Sequence, residues 1–218
     1  MTITRTVQIS IPTMGATPST LAIPRMLDSA LIYRSWNLSV IPACVPIIGG
    51  VGCYQHGIDC GGPGKKPLVI SAEFHQRLPT ENEIRHWWSV WPNANIAIIT
   101  GSVSRNLVVV DADDSAAIRM LYRLCGSIDD SGRGINPSIP VVRTQRGGRH
   151  AYFFGSNFPG IRTDVAIRGF HIDIRAEGVY IMAPPSIGPT GTRYEWLTYP
   201  RNGEFPVLPT PLLEFLVG

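Results

Sequence analysis

The chain has 218 residues, of which 44% are hydrophobic, and this is enough apolar material for the core of one large globular domain. Its formal net charge of +3 leans towards a nucleic-acid partner but is too small to establish one. No apolar run approaches the roughly 20 residues that span a bilayer, and the N-terminus lacks the apolar core of a signal peptide. These features predict a cytoplasmic, globular protein without a membrane-bound part.

The chain begins with a segment that is predicted to be a loose arm. Residues 1–24 are rich in Thr, Ile and Pro, and the prolines break any long element there. Apolar residues at helical spacing predict a short helix from about Arg25, and Asn37 is a suitable left-handed stop before a strand at 38–42. Residues 44–67 are Gly-rich and contain three cysteines and a histidine, so we expect an irregular insertion.

A second helix and two apolar runs follow this insertion. Thr80 and Glu83 have the spacing of a capping box, which predicts a helix that ends before Pro92. The apolar runs 95–101 and 106–111 predict two buried central strands. Because only a short turn separates these runs, we expect the two strands to pair with each other.

The next predicted elements are a helix and a hairpin. Apolar spacing predicts a helix from Asp114 with Gly126 at its C-terminal end, followed by a polar loop at 127–137. The runs 140–144 and 149–154 flank a Gly-Gly turn and predict a β-hairpin.

The last third of the chain contains further short strands. The runs 172–175 and 179–183 predict a second strand pair, broken by a Glu-Gly turn. Residues 193–196 are expected to add one short strand, and residues 211–216 a closing helical turn. With no internal repeat and no linker, residues 25–218 are expected to form one mixed α/β domain.

Three aspartates stand where an apolar strand pattern would otherwise continue. Asp111 and Asp113 are two residues apart and point the same way, and we expect Asp173 to face them across an adjacent strand. Buried carboxylates are costly unless they are paired or bound to metal, so a third acid strengthens the case for a hard divalent cation. The alternatives are an acidic turn that closes a buried strand, and a surface ion pair of Asp173 with Arg175 or Arg168.

Basic residues occur at two turns. Residues 146–149, Arg-Gly-Gly-Arg, can present backbone N–H groups and cationic side chains to phosphate. The strand pattern places His150 and Arg149 on opposite faces, and a structural role is the alternative for this histidine. Lys65 and Lys66 form a second basic loop, which is either a solvated turn or a contact to a nucleic-acid backbone or a triphosphate.

The insertion contains candidate metal ligands. Cys53, His56 and Cys60 are close in sequence, and Cys44 would complete a set of four tetrahedral zinc ligands. Their spacing is irregular, and Asp59 could compete as a ligand. Structural zinc, free thiols and a disulfide therefore remain open on the sequence.

Several segments of the chain stand in a recognisable order. They are residues 63–67 (Pro-Gly-Lys-Lys-Pro), 95–101, 108–113, 143–152, 172–175, 179–186 and 194–196. Together they resemble the bifunctional primase-polymerase domain of the archaeo-eukaryotic primase superfamily, known from plasmids, phages and integrated elements. The resemblance covers roughly residues 28–216 in the family's order, which makes it far more specific than any single motif.

The resemblance implies a fold and a metal centre. The expected fold is a catalytic sheet related to the RNA-recognition type, with an N-terminal α/β subdomain packed against it. By analogy Asp111, Asp113 and Asp173 would be the catalytic carboxylates that bind two Mg²⁺ or Mn²⁺ ions. The implied reaction is template-directed transfer of nucleotides to a 3′-hydroxyl, in replication of a plasmid, phage or other mobile element.

The resemblance also implies phosphate contacts. His150 would contact the phosphates of the incoming nucleotide. The resemblance supports Arg149, Arg146 and Lys66 less strongly as further phosphate ligands. The chain departs from the family's pattern where Gln145 and Arg146 replace the small residues that commonly precede the Gly-Gly turn.

Two other functions compete with nucleotidyl transfer. One is a non-catalytic single-strand-binding or replication-initiation module with the same fold, and the other is a metal-dependent nuclease. The expected partners are a DNA template and primer and nucleoside triphosphates. A helicase or a primer-binding helical domain on another chain is a further candidate partner.

Overall fold

The structure is a computed structural model that describes residues 25–126, 136–155 and 166–217. The predicted arm at 1–24 and most of the predicted polar loop at 127–137 lie outside the described residues. No helix in the described part of the chain is long and apolar enough to cross a membrane.

The described ranges contain four α-helices and eight β-strands. The helices are α1 (Met26–Ser35), α2 (Glu81–Val90), α3 (Ser115–Leu124) and α4 (Thr210–Val217). The strands are β1 (Ser39–Ala43), β2 (Asn95–Ile99), β3 (Leu107–Ala112), β4 (Val141–Arg143), β5 (Arg149–Phe154), β6 (Ile172–Arg175), β7 (Tyr180–Ala183) and β8 (Glu195–Thr198). All of the helices and the hairpin lie where the sequence predicts them.

Side-chain caps fix where the helices start. At α2 the Thr80 side chain accepts a hydrogen bond from the Glu83 backbone N–H, and the Glu83 carboxylate accepts one from the Thr80 backbone N–H. This is the predicted capping box. At α3 the Asp114 carboxylate accepts hydrogen bonds from two backbone N–H groups of the first turn. After α1, Asn37 has the expected left-handed backbone, with φ of 60°.

The strands form two antiparallel sheets. The smaller sheet has the order β1-β2-β7, and the larger has the order β6-β3-β5-β4-β8. Helices α1 and α2 pack on the smaller sheet, and α3 and α4 cover one face of the larger. The expected mixed α/β fold is confirmed, although the smaller unit is not purely N-terminal because it takes β7 from the second half of the chain.

The expected pairing of β2 with β3 is wrong. These strands belong to different sheets and meet at an isolated bridge between Gly101 and Leu107. Arg105 and Asn106 both have left-handed backbones, with φ of 62° and 56°, and this turns the chain out of the smaller sheet. The hydroxyl of Ser104 accepts the backbone N–H of Ser39 in β1, which holds the start of this turn against the sheet that the chain is leaving.

The expected pairing of β6 with β7 is also wrong. β6 pairs with β3, whereas β7 pairs with β2. The chain crosses between the sheets at Glu177, whose carboxylate accepts hydrogen bonds from the Ser102 backbone N–H at 2.7 Å and the Ser102 hydroxyl at 3.0 Å. The two crossings therefore lie side by side and are bonded to each other.

Both faces of the larger sheet are covered, which explains the continuous apolar run of β3. Val108 and Val110 face the core formed with α3 and α4. Val109 and, on β5, Tyr152 face the core shared with the smaller sheet, α1 and α2. Because alternate residues share a face, Asp111 points towards the smaller sheet.

Candidate active site

Strand β3 brings three polar residues together at one end of the larger sheet. In the antiparallel register, Asp111 lies opposite His150 of β5 and opposite Asp173 of β6. Residues that are directly opposite in a sheet share a face, so all three side chains point towards the smaller sheet. The expected opposition of Asp111 and Asp173 across adjacent strands is present.

Asp111 is a buried carboxylate. Its Oδ1 atom lies 3.4 Å from the His150 Nε2 atom, an ion-pair distance without hydrogen-bond geometry. The His150 Nδ1 atom is also buried without a hydrogen-bond partner. Burial favours the protonated acid, but the positive charge of His150, with smaller contributions from Arg175 and Lys65, outweighs it and lowers the pKa of Asp111. Asp111 is therefore an ionised group whose Oδ1 atom has no hydrogen-bond partner.

Asp173 has partners of its own. The Arg175 guanidinium donates to its Oδ2 atom at 2.6 Å, and the backbone N–H of Ala166 donates to its Oδ1 atom at 3.0 Å. Arg168, the other candidate partner, donates to the Phe215 carbonyl instead. The ion pair that was an alternative to a metal site is thus present, and it lies beside Asp111.

Asp113 follows the end of β3 and is more exposed. Its backbone N–H donates to the His171 carbonyl at 3.0 Å. Partial burial and the negative charges of Asp111 and Asp173 raise its pKa. The three aspartates therefore repel one another electrostatically. The oxygen atoms of the three aspartates do not form a compact cluster of metal ligands. Among the described residues, the compact cluster is that of the cysteines and the histidine of the insertion, whose ligand atoms lie within 4.8 Å of one another.

A cavity of about 520 Å³ opens beside Asp111, and neither Asp113 nor Asp173 is part of its lining. Asp111, His150 and Arg175 of the larger sheet line one side. Residues 180–182 of β7 line the side that belongs to the smaller sheet. Lys65, Ser71, His75, Tyr194 and residues 178–179 complete the lining. The lining carries basic side chains around one buried acid, which suits a phosphate-bearing ligand.

Residues 30–211 match the family model of the bifunctional DNA primase/polymerase, N-terminal domain. The chain belongs to this family. A search of curated proteins found no match. Membership assigns the chain to the DNA primases and polymerases, whose ligands are DNA and nucleotides. The resemblance seen in the sequence is confirmed.

The structure distinguishes among the basic residues predicted for this primase/polymerase domain. Lys65 lines the cavity, and the neighbouring Lys66 is exposed and is not part of its lining. The Arg149 side chain donates to the Tyr122 hydroxyl and to the Gly147 and Gly148 carbonyls, on the other face of the sheet from His150. The structure therefore brings His150 into the cavity, but neither Arg149 nor Lys66.

Arg146 and its neighbour Gln145 occupy the hairpin turn. Arg146 is exposed, whereas Gln145 is buried against Gly188 and lies 3.5 Å from the Thr190 hydroxyl. The departure from the family's pattern at this turn is thus accommodated by packing against the segment after β7. The phosphate roles of Arg146, Arg149 and Lys66 stay predictions.

Sequence reasoning missed several residues of the cavity. Arg175 is two residues from Asp173, so strand alternation could have placed it on the same face. Tyr180 and Met182 were missed because β7 was assigned to the wrong sheet. His75 comes from an irregular segment that carries no pattern signal.

The insertion at residues 44–67, here called the Cys/His loop, holds a second cluster. The ligand atoms of Cys44, Cys53, His56 and Cys60 all lie within 4.8 Å of one another, and the cysteines are free. Burial opposes the thiolate form of Cys53, but hydrogen bonds from Cys60 and His56 outweigh it and lower its pKa to about 7. Burial raises the pKa of Cys44 to about 12. Asp59 is exposed and lies outside the cluster.

Proposed function

We propose that the chain is a template-directed DNA primase/polymerase that transfers nucleotides to a 3′-hydroxyl with the help of Mg²⁺ or Mn²⁺. The observation that carries this proposal is the register of β3, which sets Asp111 opposite Asp173 and beside His150 at the cavity. Family membership supplies the reaction class, and this arrangement suggests where the reaction takes place.

The residues present fit divalent metal ions. Carboxylate oxygens are the ligands that Mg²⁺ and Mn²⁺ prefer. The Oδ1 atom of Asp111 is buried without a hydrogen-bond partner, and the charges of Asp111 and Asp173 raise the pKa of Asp113. Cations would relieve both costs. We assign Asp111, Asp113 and Asp173 as the metal ligands.

The cationic residues of the cavity suit the triphosphate of an incoming nucleotide. Lys65, Arg175 and His150 all line the cavity, and His150 lies beside Asp111. Together they would hold the phosphates by charge-assisted hydrogen bonds. Arg175 would exchange its bond to Asp173 for a phosphate oxygen when the nucleotide enters.

The reaction needs no nucleophile from the protein. The 3′-hydroxyl of the primer attacks the α-phosphate, and pyrophosphate leaves in line. Bound divalent ions would neutralise charge at the reacting phosphate and at the leaving pyrophosphate. The protein's part is to orient the triphosphate with Lys65, His150 and Arg175, and to keep Asp111 ionised beside His150.

We also propose a setting for this activity. The partners are a DNA template with its primer and nucleoside triphosphates, and a helicase or primer-binding helical domain on another chain is a candidate fourth. Replication of a plasmid, phage or other mobile element is the proposed context, which the family resemblance alone supports.

Primer extension with Mg²⁺ or Mn²⁺ tests the proposal. Asp111→Asn is expected to reduce nucleotide incorporation about 1,000-fold or more, since it removes a charged ligand that would hold the metal ions. Asp114→Asn is the matched control, because it makes the same charge change nearby and Asn is an equally good helix cap. Asp114→Asn should retain activity close to that of the wild type.

Gel analysis separates the alternatives in the same experiment. Equal extension by the wild type and Asp111→Asn would contradict the assignment of Asp111 as a metal ligand. DNA binding without incorporation under any metal would favour the non-catalytic module, and shortened DNA would favour a nuclease. Reactions without a primer show whether the chain also starts synthesis de novo.

A further inference from the structure

The Cys/His loop has little to hold it together without a ligand. Its buried side chains are those of Pro46 and the three cysteines, whereas Val51, Tyr54 and Ile58 are each more than 70% exposed. A loop of this length that buries so few apolar groups needs another source of stability. The cluster of thiols and imidazole at its centre is the obvious place to find one.

We propose that Cys44, Cys53, His56 and Cys60 bind one structural Zn²⁺ ion, which fixes the Cys/His loop so that Lys65 reaches the cavity. The zinc site stands on its own geometry. The consequence for Lys65 rests on the proposed function.

The distances fit a tetrahedral zinc ion. Zinc–sulfur bonds of about 2.3 Å place two sulfur ligands about 3.8 Å apart. The Sγ atoms of Cys44 and Cys60 are 3.9 Å apart, and the His56 Nδ1 atom lies 3.2 Å from the Cys53 Sγ atom and 3.9 Å from the Cys60 Sγ atom. The four ligand atoms thus already lie near the corners of one tetrahedron. A disulfide would need the two sulfurs at about 2.05 Å, so the Cys44–Cys60 pair is not one.

The backbone around Cys53 is shaped to present its sulfur. Cys53 and Gly57 exchange two backbone hydrogen bonds of 3.0 Å, which close a tight turn around His56. The backbone N–H of His56 donates to the Cys53 Sγ atom at 3.2 Å, a bond that favours the thiolate form which metal binding requires. Gly52, with φ of 84°, passes so close to Gly57 that a side chain there would collide with the backbone. The turn therefore fixes the Cys53 sulfur next to His56.

The cluster is also joined to the active-site cavity. The Gly62 carbonyl lies 3.6 Å from the Cys44 Sγ atom and accepts the backbone N–H groups of Lys65 and Lys66. The Cys44 backbone N–H donates to the Lys66 carbonyl at 2.8 Å. A metal ion at the cluster would therefore hold the turn at residues 62–66, from which Lys65 reaches the cavity.

Metal content and cobalt spectroscopy test the site. The purified wild-type protein should retain about one zinc ion per chain after dialysis into metal-free buffer without a chelator. Zinc-depleted protein titrated with Co²⁺ should develop the visible bands of tetrahedral cobalt and the near-ultraviolet band of thiolate ligation. Cys125→Ser is the matched control, since this thiol is buried in the core with α3 and should leave both results unchanged. Cys53→Ser and Cys60→Ser should lose the tetrahedral spectrum.

The wild-type cobalt spectrum decides the question even where a serine variant fails to fold. Absence of bound zinc together with an octahedral cobalt spectrum would overturn the metal site. So would a tetrahedral spectrum that persists in folded Cys53→Ser and Cys60→Ser variants.

Binding of dATP with and without zinc tests the consequence for Lys65. Removal of zinc should weaken dATP binding about tenfold, the cost of one charge-assisted contact. Circular dichroism should show both sheets intact, because the cluster lies outside the two main cores. Unchanged dATP affinity after zinc removal would overturn the link to Lys65, while zinc binding would stand. Failure of the zinc-loaded protein to bind dATP at all would count against the proposed function instead.

Discussion

Asp111 and Asp173 lie opposite each other in the β3–β6 pair, but each has a different basic side chain beside it. Asp111 lies 3.4 Å from His150, whereas Asp173 accepts a hydrogen bond from Arg175 at 2.6 Å. The carboxylate of Asp173 is thus already bound to a guanidinium, whereas Oδ1 of Asp111 has no hydrogen-bond partner. Arg175 therefore competes with metal for Asp173.

Removal of Arg175 should make Asp173 more available to metal. We predict that Arg175→Gln lowers the dissociation constant for Mn²⁺ about threefold or more in the absence of nucleotide, because no cation then occupies the Asp173 carboxylate. Equilibrium Mn²⁺ binding by the nucleotide-free protein measures this. Arg143→Gln, which breaks the exposed Arg143–Glu195 pair, is the control and should leave the affinity for Mn²⁺ unchanged. Weaker Mn²⁺ binding by Arg175→Gln would show that Arg175 supports metal binding rather than opposing it.

Lys65 and Lys66 offer a direct comparison between structure and sequence. Lys65 lines the cavity, and the family resemblance favours Lys66. We predict that Lys65→Ala raises the KM for nucleotide about tenfold, through loss of one phosphate contact, and that Lys66→Ala has a smaller effect. Steady-state kinetics at fixed primer and template measures both. A larger effect in Lys66→Ala would support Lys66 as the phosphate ligand, as the family resemblance predicts.

Gly148 allows the hairpin turn to lie against the end of β3. A Cβ atom at Gly148 would lie 2.8 Å from the Ala112 carbonyl oxygen and 3.3 Å from the Asp113 Oδ1 atom. We predict that Gly148→Ala costs about 1–3 kcal/mol of unfolding free energy and reduces extension activity, because the turn must move away from Asp113. Denaturant unfolding and primer extension measure the two effects.

The neighbouring glycine provides the control for this steric argument. Gly147 has φ of 90°, but a Cβ atom there would meet nothing within 4 Å. Gly147→Ala should therefore cost about 1 kcal/mol through backbone strain and leave activity nearly intact. Equal losses of activity in the two variants would mean that the turn's conformation matters and that its contact with Asp113 does not.

Glu83 should contribute a pH-dependent part of the stability. The Arg77 guanidinium, together with hydrogen bonds from Thr80, lowers the pKa of Glu83 to about 2. The folded-state pKa lies below the unfolded one, so this stabilisation is complete above about pH 4.5 and is lost as the pH falls towards 2. Because both partners are partly exposed, we predict that Glu83→Gln costs about 0.5–1 kcal/mol at pH 7.

Thermal unfolding at a series of pH values tests this assignment. The difference in Tm between the wild type and Glu83→Gln should shrink steadily below pH 4.5. Gln can still accept the hydrogen bond from the Thr80 backbone, so the variant isolates the charge from the cap. A gap that stays constant down to pH 3 would contradict a lowered pKa.

Local patterns in the sequence predicted the parts of the fold that local interactions decide. The capping box at Thr80 and Glu83 and the turn at Asn37 depend on residues within a few positions of one another. The alternation within β3 predicted that Asp111 and Asp113 point the same way, whereas the position of Asp173 opposite Asp111 was predicted from the family resemblance. The capping box, the turn and the alternation could be predicted because each of them depends on a short segment of chain.

Strand pairing could not be predicted in the same way. Consecutive strands usually pair, so the runs that became β2 and β3 were expected to be neighbours. Two buried strands look alike in sequence whether they belong to one sheet or to two. The decisive features were the left-handed Arg105 and Asn106, which send the chain to another sheet. The position of Lys65 could not be predicted either, because it depends on an irregular loop that has no periodic sequence pattern.

The two crossings between the sheets have a consequence for how the chain folds. Ile98 of β2 pairs with Ile181 of β7, and four strands of the larger sheet lie between them in sequence. The smaller sheet can close only after this long stretch has been brought back, at a considerable cost in chain entropy. We therefore expect its third strand to join late. Since β7 also lines the cavity, the nucleotide pocket would be among the last parts of the molecule to form.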